Sequence, residues 1–208
     1  LDAPRAFPER RSMSLFEFTF GLSAVILGLA LAHMASSVHR LVMAGRRVKW
    51  APEPVLLAGI IFLVIVSVWL GQWGDRDRET TTTGLILLQV TKLLLPFLAA
   101  AFVLPETPPE EGPVDLYAHY DRTRAFTFGA LIAGLLLFWL DGMVRWAIGD
   151  FPEAGPITVW GVLKAAPWEF TTLYALLIFV RRRWVNIVLL TAGLAYYAWQ
   201  IVPTTLAV

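Results

Sequence analysis

The chain has 208 residues, of which 57% are hydrophobic and only 16% are charged, below the roughly 25% typical of soluble domains. Its formal net charge is +1, and no basic tract with interleaved aromatic residues indicates a nucleic-acid partner. The absence of Cys excludes disulfides, thiolate metal sites and thiol nucleophiles. A mean hydropathy of +0.64 indicates a polytopic membrane protein, and membrane lipids are therefore its expected partners.

Six long apolar stretches follow a polar N-terminal tail at residues 1–14, and each is long enough to cross a bilayer. The one long connection, residues 105–123, contains four prolines and five acidic residues, which predicts an extended acidic loop. The sequence therefore predicts an all-α bundle of six transmembrane helices. The predicted helices cover residues 15–43, 54–73, 84–104, 124–148, 157–180 and 184–202.

The third predicted helix carries the strongest functional signal. Lys92 lies near its middle, with Gln89 about one turn before it and Pro96 about one turn after it, so that the three share a helical face. The ring of Pro96 blocks the hydrogen bond that the Lys92 carbonyl would otherwise accept. An ionisable side chain at mid-membrane depth is costly, and it is therefore a candidate functional residue.

Few other polar residues lie deep in the predicted helices: Glu169, Asp141 and His33. We expect Lys92 and Glu169 to face the interior and to pair, since neither has an opposite charge on its own helical face; Asp141 is the alternative partner. Such a pair either lies on a proton or ion pathway or locks the helix packing. Asp141 and Arg145 are four residues apart, acid first, which predicts an ion pair within one helix near the membrane surface.

No motif indicates a bound metal, a cofactor or an enzyme. His33 and His39 are six residues apart and do not share a helical face, while His119 lies in the predicted acidic loop. The metalloprotease, nucleophile-elbow and phosphate-binding loop signatures are all missing. We therefore expect a protein without metal, cofactor or catalytic activity.

Small residues recur on two of the predicted helices, and such stripes let another helix approach closely. They predict either a homo-oligomer or contact with a partner membrane subunit. The first stripe is formed by Ala24, Gly28, Ala32 and Ser36, and the second by Gly129, Ala130, Ala133 and Gly134.

The distribution of Lys and Arg predicts the orientation in the membrane. Basic residues are concentrated around the ends of helices 1, 3 and 5, which places these ends in the cytoplasm and both termini outside it. Several Trp residues, among them Trp50 and Trp184, lie at helix ends, where they are expected to contact the interface between lipid and water.

The first third of the chain resembles a known group of sequences. The opening Phe16-Glu17-Phe18, the apolar run that ends at His33, the basic loop and the second helix with Trp69 are similar to small bacterial multi-pass membrane proteins of unknown function. The resemblance implies a bacterial inner-membrane protein and no particular activity. The residues favour a small channel or transporter; the alternative is an accessory or scaffold subunit of a larger membrane complex.

Overall fold

The computed structural model describes residues 14–76, 81–106, 112–151 and 155–201. Almost all secondary structure in these ranges is helical. The helices are α1 (Leu15–Ala44), α2 (Pro52–Gly71), α3 (Thr83–Val103), α4 (Leu116–Ala147), α5 (Val159–Ala165), α6 (Trp168–Phe179) and α7 (Arg183–Ile201). The short elements are two 3-10 helices, Gly45–Arg47 and Gln72–Asp75, and two strands, β1 (Val48–Lys49) and β2 (Val114–Asp115). The predicted tail up to residue 13 and the last residue of the sixth predicted helix lie outside the described residues.

Five helices, namely α1 to α4 and α7, are long and apolar enough to cross a membrane. Helices α5 and α6 together form one further candidate span, bent by 54°. This architecture confirms the predicted all-α polytopic membrane fold. The fifth predicted helix, over 157–180, therefore corresponds to α5 and α6, which are separated at Pro167, because proline lacks an N–H and clashes with the carbonyl four residues before it.

Helix α4 begins earlier than the sequence predicts. It starts at Leu116 instead of residue 124, and the side chain of Asp115 caps it by accepting the Ala118 N–H at 2.9 Å. The four prolines of the predicted 105–123 loop all precede Asp115, so none of them prevents the next residues from being helical. The loop prediction is therefore wrong for residues 116–123, while residues 107–111 lie outside the described part of the chain.

The centre of the bundle is the antiparallel contact between α3 and α4. Gly134 of α4 allows this approach, since a Cβ atom there would lie 3.5 Å from Leu95 Cβ and 4.0 Å from Pro96 Cδ. Around this contact, α1 packs on α3, α2 on α7, and α4 on α6. Pro96 thus lies in the buried core, beside Gly134 of α4.

The bundle has two distinct ends. At the first, which we call the cleft end, α1 starts, α2 stops and α4 stops; Phe16 packs edge-on against Trp73, with ring centroids 5.9 Å apart. At the second, the clasp end, β1 pairs with β2 in parallel, with Val48 opposite Val114. The polar cleft described below lies at the first end, and the two short strands lie at the second.

Candidate functional site

Lys92 and Asp141 form a buried ion pair inside the bundle. The Nζ of Lys92 donates a hydrogen bond to Oδ2 of Asp141 at 2.5 Å, and the side chains are only 7% and 11% exposed. The ammonium also lies 4.8 Å from the ring centroid of Phe138. Lys92 therefore faces the interior as predicted, but the predicted pairing with Glu169 is wrong and Asp141 takes its place.

The crossing of α3 and α4 explains why these two residues meet. Starting from Pro96 and Gly134 and moving toward the cleft end, Lys92 lies about one turn away on α3 and Asp141 about two turns away on α4. A helical side chain leans toward the N-terminus of its own helix. The N-terminus of α3 is at the cleft end, so the long Lys92 side chain bridges the remaining turn.

A polar cleft leads from the cleft end to this ion pair. Its volume is about 50 Å³, which is room for a few water molecules. The Nε2 atom of Gln72, which lines the cleft, is buried without a hydrogen-bond partner among the described residues, so a cleft water can satisfy it. The polar residues of the lining are Thr19, Gln72, Asp75, Thr81, Gln89, Asp141 and Arg145.

Arg145 forms the rim of the cleft. Its guanidinium donates to Asp75 at 2.6 and 3.5 Å and to Asp150 at 3.3 Å, which ties the end of α4 to the 3-10 helix after α2. The predicted ion pair between Asp141 and Arg145 is therefore wrong. Asp141 binds Lys92 instead, and Arg145 binds two carboxylates nearer the surface.

On the clasp side of the pair, α3 and α4 carry mainly apolar buried side chains. Six of these side chains are at most 4% exposed. Asp141 is the member of the ion pair that lines the cleft. The six buried residues are Leu93, Ala99, Ala100, Val103, Phe128 and Leu131.

The remaining polar candidates are separate from the ion pair. Glu169 is exposed and accepts a hydrogen bond from the Tyr196 hydroxyl at 3.4 Å. His33 is half-buried on α1, and its Nε2 has no hydrogen-bond partner among the described residues. Gln89, in contrast, lies in the cleft as its shared face with Lys92 suggests.

The small-residue stripe of α1 faces outward. Gly28, Ala32 and Ser36 are exposed and Ala24 is half-buried, and a Cβ atom added at Gly28 would meet nothing within 4 Å. The α4 patch is divided. Gly134 makes the close contact with α3, whereas Gly129 has open space at its Cβ position and Ala133 is half-buried.

Sequence reasoning missed a second ion pair, at the clasp end. Arg183 donates from Nε and Nη2 to the two carboxylate oxygens of Glu53, at 2.8 and 3.3 Å, and Glu53 is fully buried. The guanidinium carbon of Arg183 lies 4.0 Å from the ring centroid of Tyr117. The sequence shows Arg183 only as one of three adjacent arginines, so nothing in it distinguishes this residue from its neighbours.

Within the described ranges, no group of three or more His, Cys, Asp or Glu residues could hold a metal ion. Comparisons with protein-family models, with curated proteins and with solved structures give no match. The chain is therefore classified by its fold, as an all-α polytopic membrane protein. Its candidate site is the Lys92–Asp141 pair together with the cleft that reaches it.

Proposed function

We propose that the protein is a small membrane transporter that carries protons, with Lys92 and Asp141 as its exchange site. One observation carries the proposal: a small cleft with a largely polar lining reaches a buried, paired carboxylate. A metal cation in the cleft would meet the ammonium of Lys92 beside Asp141 and be repelled by it. A proton needs only cleft water and the carboxylate.

The chemistry of the pair supports exchange better than a purely structural role. A buried ion pair is often no more stable than well-packed apolar residues of similar volume. When cleft water protonates Asp141, the carboxylate loses its charge and its attraction for Lys92. Pro96 lies one turn from Lys92 and leaves the Lys92 carbonyl without its helical hydrogen bond, which gives α3 a place to bend as the pair opens.

The test is proton flux into liposomes that contain the purified protein and a trapped pH indicator, driven by a potassium diffusion potential. We expect flux with the wild type and its loss in Asp141→Asn, which retains the shape of the side chain but not its charge. Glu169→Gln is the matched control, because Glu169 is an exposed intramembrane carboxylate outside the cleft. Equal flux in wild type and Asp141→Asn would overturn the proposal.

A double variant separates transport from packing. Lys92→Met with Asp141→Leu replaces the pair by apolar side chains and is expected to fold. If the pair is the exchange site, this variant inserts into liposomes but gives no flux. Flux at the wild-type level would instead show that the pair only locks α3 against α4.

A second candidate function is that of a subunit which binds another membrane chain, either a copy of itself or a partner. The exposed stripe of Gly28, Ala32 and Ser36 favours it, because small residues let a second helix approach α1 closely. This function is compatible with proton transport, since the stripe and the cleft use different residues.

We further propose that the clasp end faces the cytoplasm of a bacterial cell, so that both termini and the cleft lie outside it. The exposed basic residues at the clasp end support this orientation. Green fluorescent protein fused to the C-terminus should then stay dark, because it does not mature after export in unfolded form; a bright fusion would reverse the orientation. The exposed basic residues are Arg46, Arg47, Lys49, Arg122, Arg181, Arg182 and Arg183.

A further inference from the structure

A second cavity, which Phe138 lines, shares no lining residue with the cleft. Its volume is about 160 Å³, and side chains from α2, α3, α4, α6 and α7 surround it. Its walls are almost wholly apolar: Val68, Leu131 and Leu135 contribute to them, as do Pro96 and Gly134 of the α3–α4 contact. Its polar groups come from Ser67, Tyr174 and Tyr197.

The two tyrosines leave one hydrogen-bond donor unused. Their hydroxyl oxygens are 3.0 Å apart, and Tyr174 is fully buried. Two hydroxyl groups carry two protons, and the bond between them uses one. The hydroxyl of Ser67 donates to the Leu63 carbonyl of its own helix. The second tyrosine proton bonds to no acceptor among the described residues, and an unused donor beside an apolar cavity favours a ligand that accepts it.

The size of the cavity defines the ligand further. An apolar cavity of about 150 Å³ stays dry and admits one six-membered ring. A neighbouring groove, lined by Leu70 and Phe170, shares Ser67 and Tyr197 with the cavity and has a volume of about 370 Å³. The groove can hold an apolar substituent of the ring.

We propose that this cavity binds the ring of a neutral, membrane-soluble ketone, such as a quinone head group, whose carbonyl accepts the hydrogen bond from the tyrosine pair. The ring lies against Phe138 and Leu135, and an apolar tail continues along the groove beside Leu70. The site shares no charged residue with the proton cleft and does not depend on the proposed transport.

Photolabelling with acetophenone tests the site, because this aryl ketone has one ring and one carbonyl and inserts into nearby C–H bonds when irradiated. We expect labelled peptides to include residues of the cavity wall, such as Leu135 and Tyr197. An excess of cyclohexanone should reduce this labelling, whereas cyclohexane, the same ring without oxygen, should compete roughly five- to tenfold less well, the value of one hydrogen bond.

Two sets of variants complete the test. Ala130→Leu should abolish labelling by filling the cavity, since Ala130 lines it. Tyr174→Phe with Tyr197→Phe should make cyclohexanone and cyclohexane compete equally, while Tyr197→Phe alone leaves one donor and keeps the preference. Asp141→Asn should label normally, which distinguishes this site from the proton site. Labelling only of lipid-facing residues, or equal competition in the wild type, would overturn the proposal.

Discussion

Among the described residues, two ion pairs contain a buried carboxylate, Glu53–Arg183 and Lys92–Asp141, and they are built differently. At the clasp end, Glu53 is fully buried but its partner Arg183 is 52% exposed and holds it through two hydrogen bonds. In the bundle interior, where the cleft reaches Asp141, Lys92 and Asp141 are both buried and share one hydrogen bond. The Glu53–Arg183 pair, which we call the clasp, joins α2 to α7. The Lys92–Asp141 pair, which we call the cleft pair, joins α3 to α4 and borders the cleft.

This difference is the basis for our proposal that the Glu53–Arg183 pair is structural and that the Lys92–Asp141 pair exchanges protons. A forked guanidinium held by two carboxylate oxygens and by the face of Tyr117 has a fixed geometry, which resists opening. A single bond from a flexible lysine to a carboxylate beside a polar cleft can break when one proton arrives. The predictions below test this contrast, from the largest expected effect to the smallest.

Removing one partner of the cleft pair should have the largest effect. Lys92→Met leaves the Asp141 carboxylate buried without its counter-charge, which typically costs about 3–5 kcal/mol. The double variant Lys92→Met with Asp141→Leu should recover most of this loss. Reversible unfolding in mixed micelles measures both; if the double variant is as unstable as the single one, the pair does not explain the loss.

Removing Arg183 from the clasp should destabilise the protein more than removing the charge of Glu53. Arg183→Met leaves the fully buried Glu53 carboxylate without a counter-charge, so we expect the free energy of unfolding to fall by roughly 3 kcal/mol. Glu53→Gln leaves a half-exposed guanidinium that water can solvate, and it should cost less. The same unfolding assay compares the two variants, and equal losses would contradict the burial argument. Neither variant should alter proton flux per folded molecule.

The ion pairs of Arg145 at the rim of the cleft should contribute less to stability than the two buried pairs. Arg145→Met removes the bonds from Arg145 to Asp75 and Asp150. All three side chains are partly exposed, so we expect the free energy of unfolding to fall by about 1 kcal/mol. High salt should reduce the difference from the wild type, because exposed charges are screened. A loss as large as that of Lys92→Met would mean that the rim is as important as the buried pair.

The outward stripe of α1 should have the smallest effect on stability. Gly28→Leu adds a side chain where nothing lies within 4 Å, so the unfolding free energy should stay within about 0.5 kcal/mol of wild type. If a second chain contacts this stripe, the particle mass in native nanodiscs should fall. Gly21→Leu is a matched control, since Gly21 also has open space but lies outside the stripe. An unchanged mass in Gly28→Leu would contradict contact through α1.

The sequence alone indicated the helices and the interior position of Lys92. The length of an apolar stretch identifies a membrane helix from its own residues alone. A lysine in the middle of such a stretch is likewise identified from the local sequence. Helix ends were less predictable where a local side chain decides them. The Asp115 cap starts α4 early, eight residues before the predicted start at residue 124.

Only the tertiary structure decided which charges meet. Lys92 had two candidate partners in the sequence, and the choice of Asp141 over Glu169 depends on the α3–α4 crossing at Pro96 and Gly134. The bond between Arg183 and Glu53 joins residues that are 130 positions apart. Local patterns reveal which residues are apolar or charged, because these are properties of single side chains. The register between helices comes from packing across the whole bundle, and the ion pairs and cavities follow from that register.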